Sequence, residues 1–227
     1  MAAYFARTRS CSAVGSIGTA QGKGPVEENP ATSDSPWAYR RDMEVTFTKV
    51  DVKRYSIAIE REHGPALVAR SGPGYDDLMP HDLAHYLVEE FFGIELGVWG
   101  QLAAGGGGIF SPAPEDNTLR HQRRVRRIAA VGREEMQRSE RLVAMVVTAW
   151  ERSIKRVKHP TTEVPIEVDA EELRGAVRRM GEVAERWRAL GRGGSLSFAW
   201  PARLTFDDSS SHRGRRTDRR PAAPVRR

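Results

Sequence analysis

One stretch, residues 80–104 (PHDLAHYLVEEFFGIELGVWGQLAA), constrains the fold of this chain more than any other. It concentrates large apolar residues and holds two of the six histidines. Pro80 suits the first position of a helix, where its missing N–H costs nothing, and Asp76 or Asp77 adds favourable negative charge just upstream. At about 100° per residue, Leu83, Ala84, Leu87, Val88, Phe91 and Phe92 fill one arc, with Asp82, Tyr86 and Glu90 opposite. His81, His85 and Glu89 follow the boundary between these faces at helical spacing, so their side chains can meet. Gly93 stands where a left-handed residue ends a helix. A glycine-punctuated segment, 94–104, comes next, and the glycines of 105–108 form a flexible break.

Two histidines one helical turn apart can share a metal, as in the His-Glu-x-x-His zinc hydrolases. Here the run is His81-Asp82-Leu83-Ala84-His85. Asp82 replaces the glutamate that serves as general base and is one methylene shorter, which weakens a hydrolase reading. Glu89, Glu95, Asp76, Asp77 and His63 are candidates for a third ligand of a divalent ion, and no spacing selects among them. The structural alternative leads: His81 and His85 at the margin of a core, hydrogen-bonded to a neighbouring strand or to Glu89.

The pattern P-H-D-L-x-H-Y-x-V-E followed by G-x-W-G-Q-L-A-A-G resembles a group of small bacterial proteins of uncharacterised function. The resemblance covers roughly residues 43–201 and implies a family without a chemistry. The His-Asp-x-x-His element is also similar to that of a ubiquinone-biosynthesis scaffold family, whose likeness implies metal binding. The acidic residue that completes that pattern falls here on Gly97, with Glu95 and Gln101 the nearest polar residues.

A chain of 227 residues supports one domain with a real core plus tails. The lone cysteine, Cys11, excludes an intrachain disulfide framework and a cysteine metal cluster, which favours a reducing cytoplasm. No run approaches the ~18 apolar residues of a membrane span. The start lacks the apolar core of a secretory signal, and its acid-free, Arg- and Ser-containing composition up to Glu27 suits a transit peptide or an unstructured leader. The formal charge of +6 is uneven: residues 207–227 hold seven arginines against three aspartates. The folded body is therefore close to neutral, and its net charge does not call for a nucleic-acid-binding face.

Residues 1–41 show no apolar period and are expected to be disordered. Met43, which is also an alternative start, opens a strand alternating Met43, Val45 and Phe47 with Glu44, Thr46 and Thr48. Tyr55, Ile57 and Ile59 form a second strand and residues 66–70 a third, an antiparallel meander. Arg120, Arg123, Arg124, Arg126 and Arg127 crowd the helix that resumes near Asp116 or Asn117. Arginine at this density is a solvated face or a phosphate contact, so Arg120, Arg123, Arg124 and Arg127 are the nucleic-acid candidates.

Gly132 divides or kinks that helix. Beyond it Met136, Ser139, Val143, Val146, Val147, Trp150, Ile154 and Val157 form a core stripe. Asp169 with Glu172 starts a last helix, along which Leu173, Ala176, Val177, Met180, Val183, Ala184, Trp187 and Leu190 share a face, and Gly191 with Gly193 and Gly194 stops it. Leu196, Phe198 and Trp200 alternate in a closing strand that ends at Pro201, suited to a sheet edge. Residues 207–227 form a basic disordered tail.

The sequence thus predicts one α+β domain over 42–206, with a small antiparallel sheet packed on a central helix and a later helix pair. Three functions follow: a non-catalytic module that engages a protein or itself, a metal protein using His81, His85, Glu89, Asp82 or Glu95, and a weak nucleic-acid binder.

Overall fold

The computed structural model of the protein describes residues 41–51, 53–72, 78–156 and 167–206. The expected leader, the Asp76 and Asp77 charges, Val157, the connector around Pro160 and Pro165, and the basic tail lie outside the described residues.

Alternation builds the sheet. Strand β1 (Arg41–Lys49) pairs antiparallel with β2 (Tyr55–Arg61) on one side and with β4 (Ser195–Pro201) on the other; β3 (Arg70–Ser71) borders β2. The order is β3-β2-β1-β4. Val45 faces Ile59 and Phe198 across the two ladders, so Met43, Val45 and Phe47 of β1 and Tyr55, Ile57 and Ile59 of β2 share one buried face with Leu196, Phe198 and Trp200. The opposite face is polar, with the Thr46 and Ser197 hydroxyls 2.8 Å apart. The third strand is much shorter than the sequence implies: residues 66–69 leave the ladder, and Leu67 instead bridges to Pro112.

Helix α1 (His81–Phe92) lies under the sheet and packs on the short helix α2 (Val98–Ala103) and on α4 (Arg133–Ser153) and α5 (Ala170–Ala189). Pro80 caps α1 from just outside its first turn, and Gly93 ends it at φ 65°. Helix α3 (Leu119–Val131), capped by the Thr118 hydroxyl, breaks from α4 at Gly132 as the sequence suggests. A Cβ at Gly132 would press on Leu96 and Gln101, so a close approach, not flexibility, requires the glycine. Asp169 caps α5 by accepting the Glu171 and Glu172 amides. At the other end Lys49 donates to the Leu190 carbonyl, where a cation suits the helix dipole.

The α1 faces differ from the simple arc. Tyr86, expected on the polar side, is 0% exposed, and Phe91, expected in the core, is 42% exposed. The cause is tertiary: the sheet covers the side of α1 that carries Tyr86, whose ring packs 5.3 Å from Phe198, 5.5 Å from Trp200 and 5.6 Å from Trp99. Aromatic edges and faces thus fill the space between sheet and helices. Phe91 borders a surface cavity of about 580 Å³ between the end of α1 and the start of α5.

Candidate functional site

The centre of the molecule is a carboxylate. Glu89 is fully buried, and its oxygens accept from the Val98 and Trp99 amides, both at 2.8 Å, and from the Ser139 hydroxyl at 2.7 Å. It thereby supplies acceptors for the first amides of α2, which no residue at its own N-terminus caps. The glycine at position 97 makes this possible, since a Cβ there would collide with the Glu89 carboxyl. The position that completes the metal pattern in the scaffold-family likeness is here the cradle of an internal carboxylate.

The rest of the motif serves the same hairpin. The Tyr55 hydroxyl donates to the Asp82 carboxylate at 2.6 Å, and the Trp99 indole donates to the Asp82 carbonyl at 3.1 Å. Burial, followed by the hydrogen bond to Asp82, pushes the Tyr55 hydroxyl pKa up. A Cβ at Gly100 would strike the Glu95 carbonyl, and the Gln101 amide donates to the Leu96 carbonyl at 2.9 Å. Glu135 from α4 accepts the Leu96 amide at 2.7 Å. Arg61 threads beneath the glycine-rich turn, donating to the Leu102, Gly106 and Pro65 carbonyls. Burial, aided by repulsion from Arg124, lowers its pKa to about 10. The 105–108 turn, expected to be a flexible break, is pinned by these bonds.

The structure brings His81 and His85 together, with ring centroids 4.7 Å apart. His81 is exposed on one side, whereas His85 is buried, with Nδ1 3.4 Å from the Ser139 hydroxyl and Nε2 3.8 Å from Glu140. Burial depresses the His85 pKa, but Glu89, Glu140 and Asp82 outweigh it and the net shift is upward. His81 moves down, through burial and then the neighbouring His85 charge. Asp82 is turned to Tyr55, with Arg70 at 3.8 Å, and Glu95 is exposed.

Among the described residues, three side chains bring ligand atoms within 4.8 Å of one another in one place: Asp42, Glu62 and His63. In the sequence His63 stands out only as one candidate third ligand for the central histidines. The strand register, which aligns Met43 with Arg61, was the signal that places Asp42 beside Glu62.

Of the arginine cluster, Arg124 is committed to the Ala104 carbonyl at 2.8 Å, while Arg120, Arg123 and Arg127 are exposed on α3. Among the described residues, no helix is long and apolar enough to cross a membrane. Comparison with family models, with curated proteins and with solved structures finds no match to this chain.

Proposed function

We propose that this chain is a non-catalytic interaction module that pairs with a second copy of itself along the outer edge of β4. The acidic groups of its central motif are spent on the chain's own amides and hydroxyls, which suits an internal brace for the sheet. The edge carries the reading. Among the described residues β4 is the outermost strand, seven residues long, and residues 195–200 contain no charge. Sheets blunt such an edge with lysine, proline or a bulge, because its unpaired amides and carbonyls are a template for another strand. Here Pro201 and the register shift of β1 opposite it do so, both at the very end of the strand.

The Lys49 amide donates to the Gly194 carbonyl at 2.9 Å, which sets the alternation of the β1–β4 ladder. By that alternation the amides of Ser197 and Ala199 turn outward. Two copies joined antiparallel through β4 would form one continuous sheet about a two-fold axis. Light scattering on the eluting full chain tests this. A dimer is expected, and Ala199→Pro, which removes an outward amide while sparing the β1 ladder, is expected to yield monomer. A wild-type chain that stays monomeric at high concentration overturns the reading.

A second reading is favoured by one observation, the contact between the His81 and His85 rings with Glu140 beside them. In it the pair holds a divalent metal, and zinc should raise the melting temperature in a way that His85→Ala abolishes. Absence of any shift with zinc, iron or manganese would remove it.

A further inference from the structure

We propose a divalent-metal site at Asp42, Glu62 and His63, at the end of the β1–β2 pair away from its hairpin turn and separate from the central histidines. Their ligand atoms lie within 4.8 Å of one another, and the backbone holds them there: the Glu62 amide donates to the Asp42 carbonyl at 3.0 Å. Bonds of about 2.0–2.2 Å to one ion require the donors to close to roughly 3–3.5 Å apart. His63 is exposed and has the rotamer freedom to do this, and Glu62, also exposed, reaches the same point while engaged with a further group of the chain.

Asp42 supplies the independent sign of a ligand. It is 9% exposed, yet among the described residues its carboxylate takes part in no hydrogen bond or ion pair. A carboxylate that no donor serves is satisfied by a cation, and one oxygen of this carboxylate lies within 4.8 Å of ligand atoms on the other two side chains. It sits where β1 shifts register against β4, between Arg41 and Met43, an irregularity of the kind that re-aims a side chain. His63 is held from the other side, since Arg61 donates to the Pro65 carbonyl at 2.9 Å and Gly64 takes φ 85°.

Two carboxylates and one imidazole suit a first-row divalent ion of the manganese, iron or zinc type over magnesium or calcium, which prefer oxygen alone. Three protein ligands on an open flank leave positions for water. Carboxylates facing each other across a strand pair repel, and a cation between them reverses the sign of that interaction.

Cobalt(II) titration of the full chain, read by visible absorption and displaced by zinc, tests the site. One saturable site is expected, weakened about tenfold or more by His63→Ala and by Asp42→Asn, and kept in the double variant His81→Ala/His85→Ala. His63 and Glu62 are exposed, so His63→Ala and Glu62→Gln preserve the test should Asp42→Asn fail to fold. The proposal is overturned if the wild-type chain binds neither cobalt nor zinc. It is equally overturned if His63→Ala binds as tightly as wild type, or if the signal disappears with the central histidines.

Discussion

Glu89 and Asp42 are both acids at largely buried positions, and the chain treats them in opposite ways. Glu89 is surrounded by donors that the fold itself provides: two amides of α2 and a hydroxyl of α4. Asp42 meets another acid and an imidazole instead. A saturated acceptor has no capacity left for a ligand and stabilises the chain around it. An acceptor without a donor contributes little until something arrives. The difference separates a buried polar group that serves folding from one that serves binding, and burial alone does not make the distinction.

That contrast can be broken most decisively at Glu89. Glu89→Ala strips the Val98 and Trp99 amides of their acceptor inside a closed core, and the expected loss is about 3–5 kcal/mol of unfolding free energy by urea denaturation. A loss below about 1 kcal/mol would mean that water replaces the carboxylate and that the brace is dispensable. Next comes Gly97→Ala, which forces the new methyl into the Glu89 carboxyl; roughly 1–3 kcal/mol should be lost, read by the same denaturation curves. An unchanged midpoint would show that the α1–α2 approach is looser than described.

Asp42→Asn sharpens the other side. With metal chelated, replacing an acid that receives no hydrogen bond should move stability by less than about 0.5 kcal/mol. A large destabilisation would place Asp42 in the same structural class as Glu89.

The smallest effect belongs to the histidines that flank the buried acid. The raised pKa of His85 makes its protonation stabilising: the contribution is complete below its unfolded value near 6.5 and fades as pH rises through the folded midpoint. His81, lowered, works in the opposite sense, contributing above about 6.5 and losing that contribution as pH falls. Proton NMR titration of the full chain should therefore find one imidazole on each side of the ordinary histidine value. Glu140→Gln should lower the His85 midpoint by removing one of the charges that raise it. Two imidazoles titrating together near 6.5 would contradict the contacts with Glu89 and Glu140.

Much of this architecture was legible in the residues, because local periodicity and capping report it directly. The alternation in β1, β2 and β4, the Gly93 stop, the Asp169 cap and the break at Gly132 each express a preference that acts within a few residues. The faces of α1 were less legible. Tyr86 and Phe91 exchanged their expected environments because a helix covered by a sheet on one side and by helices on another has more than one buried face. The same helix shows why the site was only half legible. Spacing brought His81 to His85, but the fate of Glu89 depended on where a second helix began and on a serine fifty residues away.

By itself the sequence determined an α+β chain with a sheet of short strands, a central amphipathic helix and a long, glycine-divided helical region, since these follow from patterns that repeat along the backbone. Only the tertiary structure decided which acids are satisfied and which stand open. Hydrogen-bond partners of buried carboxylates come from elements distant in the chain, and a cross-strand cluster such as Asp42, Glu62 and His63 exists only once the register is fixed.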